Sequence, residues 1–141
     1  MKVFVSYAFT GEDESILRTR LRGLRTVFEE LGLNYYINCF APGWQELSDR
    51  SATGGEFLRF ALKDMRSSDV VFVIQSSERR SEGMLMEVGA AVAMGKKIVV
   101  AQHVSSKGKT YLPTVADVSL EWENEEELIG KTLDILRTDK V

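Results

Sequence analysis

The run Val70-Val71-Phe72-Val73-Ile74 narrows the possible folds more than any other stretch of this chain. Continuously apolar and rich in β-branched residues, it has no polar face to turn toward water. A strand built from it must be covered on both sides, as in the middle of a parallel sheet. Covers for such a strand are at hand. From Asp13 to Leu31, apolar residues at Ile16, Leu17, Leu21, Leu24, Val27, Phe28 and Leu31 fall with helical period. Arg18, Arg20, Arg22, Arg25 and Glu29-Glu30 occupy the opposite, solvated face, and Gly32 stops the helix. A second helix is predicted over Glu56 to Arg66 with Phe57, Phe60, Ala61 and Met65 inward, and a third over about Gly83 to Met94. The last starts near Asn124, an N-cap whose followers Glu125-Glu126-Glu127 suit the positive end of the helix dipole.

Four further strands are predicted at Val3-Phe4-Val5, Leu33 to Ile37, Ile98 to Ala101 and Val118 to Trp122. Asn38 to Gly55, carrying Pro42-Gly43 and Gly54-Gly55, reads as a long loop with about one helical turn. Strands alternating with helices imply right-handed crossovers. The expected fold is α/β: a flavodoxin-like three-layer sandwich around a five-stranded parallel sheet, one domain spanning 1–141. Ligands in such sheets bind beyond the carboxyl ends of the strands, at the switch point. That directs attention to Ser6-Tyr7-Ala8-Phe9, Asn38 through Trp44, Gln75 through Glu87, and Gln102-His103.

Composition removes several classes of function. With 141 residues, 44% hydrophobic and 28% charged, the chain is long enough to bury a core without disulfides or metal. Cys39 is the single cysteine and His103 the single histidine, so neither an internal disulfide nor a zinc cluster can form. A net charge of −3 argues against a general nucleic-acid surface. No apolar run of about 18 residues is present to cross a membrane. Met1 leads directly into Lys2-Val3-Phe4-Val5, so the expectation is a soluble, cytoplasmic protein that needs no metal or redox cofactor.

Chemistry concentrates in Ser81-Glu82-Gly83-Met84-Leu85-Met86-Glu87-Val88-Gly89-Ala90-Ala91. Glu87 has apolar walls on most sides, and burying a carboxylate there is unfavourable unless it is hydrogen-bonded or serves a reaction. The alternative is an early helix carboxylate held by the dipole, worth about 0.3–1 kcal/mol. Of the two glycines, Gly83 lets backbone approach a ligand and Gly89 lets the helix pack on the sheet. Ser76, Ser77, Arg79, Arg80 and Ser81 precede the helix start and form either an anion cradle or a solvated loop. Thr10-Gly11 is a second phosphate contact or simply a turn. Phe9 and Trp44 either stack on a base or cover the core or a subunit interface. His103 reads as a strand-end polar residue and Cys39 as a small buried hydrophobe.

The pattern Glu82-Gly83-x-x-x-Glu87-Val88-Gly89, set after an apolar strand headed by Asp69, resembles the nucleoside 2-deoxyribosyltransferase family, which includes the 2′-deoxynucleoside 5′-phosphate N-hydrolases. The likeness runs from Lys2 through Ile98, roughly the first two thirds of the chain. It implies cleavage of an N-glycosidic bond, with Glu87 attacking the anomeric carbon to form a glycosyl-enzyme that passes to another base or to water. By the same resemblance Tyr7 positions Glu87, and Ser6, Phe9, Thr10, Gly11, Trp44, Ser77, Arg79, Arg80, Ser81 and Gly83 contact a nucleoside or nucleotide. Homo-oligomerisation is implied as well, with a neighbouring subunit completing the site. One departure stands out. The family's aspartate, eight residues ahead of Asp69, is Ala61 here, and Asp64 on the same helical face is the candidate substitute. Lack of a general acid removes about 10²–10⁴ in rate. A second likeness covers similar residues: Val3 to Tyr7 followed by a long helix, and Ser81 six residues before Glu87, resemble a TIR domain. It implies NAD cleavage by the same glutamate, or a non-catalytic signalling module, although the TIR Trp-Cys pair is replaced by Gly83-Met84.

Overall fold

The apolar run at 70–74 becomes the middle strand of a five-stranded parallel sheet in the computed structural model, which describes all residues except Thr10, Arg80, Asp139 and Lys140. Along the chain come β1 (Lys2–Tyr7), α1 (Glu14–Glu30), β2 (Asn34–Tyr36), α2 (Trp44–Asp49), α3 (Gly54–Arg66), β3 (Val70–Gln75), α4 (Glu82–Ala93), β4 (Lys97–His103), β5 (Val118–Trp122) and α5 (Glu125–Arg137). Short 3-10 turns cover Asn38–Phe40, Val104–Ser106 and Leu112–Val115. The strand order is β2-β1-β3-β4-β5, every pair parallel. The chain winds outward from β1 to β2, crosses back to β3 and continues the other way, so the switch point lies between β1 and β3.

Alternating side chains divide the core between the two faces of the sheet. Val3, Val5, Phe72 and Ile74 pack with Leu17, Leu21, Leu24 and Phe28 of α1 and with Leu128 and Leu136 of α5. Phe4, Val71, Val73 and Val100 pack on the other face with Ala61, Met65, Met84, Val88 and Ala91 of α3 and α4. All six residues of β3 are buried, as a strand covered on both faces requires. Truncating a residue such as Phe72 to alanine there would lose about 3–5 kcal/mol.

Local chemistry sets the helix starts. Asp13 accepts a hydrogen bond from the Ile16 amide at 3.0 Å, and Asn124 accepts one from the Glu127 amide at 2.9 Å. In α3 the Thr53 hydroxyl and the Glu56 carboxylate cap each other's backbone amides, at 3.2 Å each. This capping box starts α3 at Gly54, two residues before the expected Glu56, because Gly54-Gly55 fill its first turn. The expected loop at 38–55 is mostly helical, comprising a 3-10 turn and the six residues of α2.

Three residues depart from the helical-period reading. Ile16 is exposed, one step off the buried arc that Leu17 and Leu21 define. Arg20, three residues after Leu17 and four before Leu24, lies within that arc and is only 8% exposed. Its guanidinium meets Glu125 at 2.8 Å and lies 4.9 Å over the Trp122 ring, tying α1 to α5 and the edge of β5. Gly89 faces outward with open space where a Cβ would stand, so it does not serve packing on the sheet.

Candidate active site

Because β1 and β3 are neighbours, the ends of both strands and the start of α4 converge on one crevice. Ser6 lies on the α3/α4 side of β1 and is fully buried. Ser81 caps α4 by accepting from the Met84 amide at 3.1 Å, which places Glu87 in the second turn, turned back toward the sheet. There the Ser6 hydroxyl donates to Glu87 Oε1 at 2.7 Å, the one side-chain hydrogen bond Glu87 accepts among the described residues. The helix dipole acts mainly over the first turn, so it does not account for this carboxylate. Burial disfavours the charged form more than the single Ser6 bond supports it, and the Glu87 carboxyl is pushed up to about 7.

Glu87 opens onto a cleft of about 940 Å3. Tyr7, Tyr36, Asn38 and Ala61 wall it beside the carboxylate, with Phe9, Trp44 and Phe57 as aromatic surfaces and Arg18, Arg79, Ser81, Glu82 and Gly83 around the α4 start. Trp44 opens α2, and its ring centroid is 6.1 Å from that of Phe57. The cleft thus joins a carboxylate, a set of ring faces and an N–H-rich rim that carries Arg18 and Arg79 beside Glu14 and Glu82, which suits a small polar molecule with a planar ring.

Tyr7, expected to hold Glu87, donates instead to Asn38 Oδ1, and Ser6 makes the contact to Glu87. The reason is strand alternation, since Ser6 and Tyr7 point to opposite faces of the sheet. Burial, together with nearby Cys39 and the negative charge of Glu87, drives the Tyr7 hydroxyl well above its ordinary value, so Tyr7 remains a donor. Asp64 does not replace the missing carboxylate at Ala61. One helical turn further on, it binds the Lys2 ammonium near the opposite end of β1, outside the cleft wall.

Around the loop after β3, Arg79 lines the cleft and donates to the Gly11 carbonyl. Gly11 has φ +82°, a left-handed backbone conformation that favours glycine. Ser76 bridges to Glu12 at 2.8 Å. Ser77 turns to its own loop, accepting from the Arg79 amide at 3.1 Å, and is not part of the cleft wall. Thr10 and Arg80, both expected to touch substrate, lie outside the described residues. His103 spans Ser105 and Glu123 at the end of β4, away from the cleft.

Arg18, assigned by spacing to the solvated helix face, lines the cleft beside its partner Glu14. Tyr36 and Asn38 also enter the wall. The boundary position of Asn38 hinted at its place, whereas nothing in the local pattern singled out Tyr36. Among the described residues no group of three His, Cys, Asp or Glu side chains is arranged to hold a metal ion. Nor, among them, is any helix long and apolar enough to cross a membrane.

Fold and site together define a small doubly wound α/β protein whose switch-point crevice is lined by a half-buried carboxylate. The profile described as nucleoside 2-deoxyribosyltransferase matches residues 8–128, and the chain belongs to that family. No curated protein matches the sequence. Among solved structures, the Clostridium botulinum CMP N-glycosidase superposes with a TM-score of 0.65 at 23% identity, covering 96% of this chain and 99% of its own. The 2-deoxyribosyltransferase of Bacillus psychrosaccharolyticus gives 0.56 at 16% identity, covering 94% and 96%. A de novo designed Rossmann 2x3 protein gives 0.54 at 15%, covering 99% and 91%. At these identities the likeness is one of fold, and a designed protein shares it.

Proposed function

We propose that this protein cleaves the N-glycosidic bond of a nucleoside or nucleoside 5′-monophosphate, with Glu87 as nucleophile. The observation that carries the reading is Glu87 itself, at the switch point, hydrogen-bonded by Ser6 and open to an aromatic-walled cleft. In the reaction a carboxylate oxygen bonds to the anomeric carbon as the bond from that carbon to the base nitrogen breaks. The bonding pair leaves with the base, and the sugar remains as a glycosyl ester of Glu87. Water then attacks the ester in a hydrolase, or a second base does so in a transferase. Phe9 and Trp44 flank the base, while Arg79, Ser81 and the first amides of α4 receive the 5′-phosphate. Family membership supports the reaction class.

Self-association belongs to the same reading. Leu85, Met86 and Val92 form an outward apolar stripe on α4, 41%, 56% and 52% exposed, beside the helix turn that carries Glu87. Such a stripe suits a second copy of the chain packed next to the site.

The test incubates the protein with nucleosides, their 5′-monophosphates and NAD, with and without a free acceptor base. Chromatography follows base release and exchange. Release lost in Glu87→Ala, with the sugar mass found on the Glu87 peptide after rapid quenching, is the expected result. Release that survives Glu87→Ala overturns the assignment of the nucleophile. Nucleotide binding without release by the wild type would make the protein a binding module.

A further inference from the structure

Asn38 follows β2 by one extended residue, Ile37, in the 3-10 turn at the carboxyl edge of the sheet. With Phe4 opposite Tyr36 in the β1–β2 register, the chain reaches Asn38 level with the end of β1, where Ser6 holds Glu87. Asn38 is half-buried and lines the cleft. The two ends of its carboxamide are used differently. Oδ1 accepts from the Tyr7 hydroxyl. Nδ2 meets no partner among the described residues, and it is not among the side-chain atoms closed off from solvent without one, which belong to Tyr36 and Gln75. The Tyr7 bond also fixes which end is free. Burial first, then Cys39 and the charge of Glu87, keep the Tyr7 hydroxyl protonated. A reversed amide would leave that proton only the Cys39 sulfur, a weak acceptor. Because the Glu87 charge reaches the Tyr7 hydroxyl, the amide bonded to that hydroxyl stands beside the carboxylate.

In a β-nucleoside the base and the 2′-hydroxyl occupy opposite faces of the sugar ring. A carboxylate that displaces the base arrives on the face carrying the 2′-hydroxyl, so a donor beside Glu87 meets that oxygen. We infer that Asn38 Nδ2 donates to the 2′-hydroxyl of the sugar and selects ribonucleosides over 2′-deoxyribonucleosides. The inference rests on the N-glycosidic reading above and names its sugar. Tyr7 is then a positioning residue that acts through the Asn38 amide. A hydrogen bond to this hydroxyl strengthens as the ring approaches its oxocarbenium-like transition state, so the selection appears in kcat as well as in KM. A 2′-deoxy sugar presents a ring carbon to the amide and forgoes the contact.

Base release is measured on nucleosides and their 5′-monophosphates as matched ribo and 2′-deoxy pairs, with wild type, Asn38→Ala, Asn38→Ser and Tyr7→Phe. The ribo-to-deoxy ratio of kcat/KM in each variant is compared with that of the wild type, which cancels the greater intrinsic lability of the 2′-deoxy bond. In Asn38→Ala the ratio is expected to fall about 10–10²-fold. Asn38→Ser keeps a hydroxyl for Tyr7 but lacks the amide, and the same fall is expected there, so the result does not depend on the folding of one variant. Tyr7→Phe leaves the amide in place but free to turn, and its ratio should fall by less. Equal losses on both sugars in the Asn38 variants, or an unchanged ratio, overturn the inference and make Asn38 a structural residue. Wild-type release from the 2′-deoxy members alone also overturns it. In either case release that depends on Glu87 leaves the proposed function standing. If the wild type releases base from no member of any pair, the proposed function falls and this inference with it.

Discussion

Replacing Glu87 by glutamine should stabilise the protein, and more so as pH rises. Folding carries Glu87 from an ordinary glutamate value near 4.5 to about 7, so between these values the folded chain binds more protons than the unfolded one. The sign follows directly. Stability associated with this group is fully present below about pH 4.5 and is lost as pH rises through about 7. At about 1.4 kcal/mol for each tenfold step in proton affinity, the loss is under about 1 kcal/mol at pH 5 and at most about 3 kcal/mol at pH 8. Glutamine accepts the same Ser6 hydrogen bond and carries no charge, so it escapes the loss. For a chain of this length about 3 kcal/mol corresponds to roughly 10 °C in Tm. Thermal melts of wild type and Glu87→Gln at half-unit steps from pH 5 to 8 measure the difference. A gap that does not widen with pH would refute the argument that burial holds this carboxyl near neutrality. Base release, which in the proposed reaction uses the carboxylate, should show the opposite trend in the wild type and rise through the same interval.

Ser6→Ala removes the Ser6 hydrogen bond that favours ionised Glu87 and should move the acid limb of base release upward by about one pH unit or more, read from a pH–rate profile. Thr53→Ala breaks the capping box that starts α3. It should lower stability by about 1 kcal/mol in urea melts and raise KM more than it lowers kcat, because Phe57 and Gly54 of that helix line the cleft. Arg20→Ala takes away the guanidinium between Glu125 and Trp122 and should destabilise by about 1–2 kcal/mol, whereas Arg20→Met, which keeps most of the stem, should lose less. Met86→Glu places a charge in the α4 stripe and should shift the sedimentation coefficient toward that of a single chain.

What the amino-acid order determined by itself was whatever depends on near neighbours and on period. Five β-branched-rich residues at 70–74 can hardly be anything but a strand covered on both faces, and the buried β3 is that strand. The leucines of α1, the cap at Asn124 and the crossovers between strands follow from the same short-range rules, and together they yield the parallel sheet and its switch point. Glu87 was legible because a carboxylate amid Met, Val and Ala contradicts its surroundings. Tertiary structure alone decided which groups meet Glu87. One residue of strand alternation puts Ser6 on the carboxylate and sends Tyr7 to Asn38. One helical turn separates Ala61 in the cleft from Asp64 on Lys2. Arg18 and Arg20 stand on nearly opposite sides of α1, and that the first reaches the cleft while the second meets Glu125 and Trp122 depends on which elements dock against each side. Tyr36 sits on a three-residue strand too short for any period to mark it, yet docking of the elements brings it into the cleft wall. Local sequence sets the form and direction of each element, whereas contacts between residues 31 to 105 positions apart depend on how those elements dock, which no local pattern encodes.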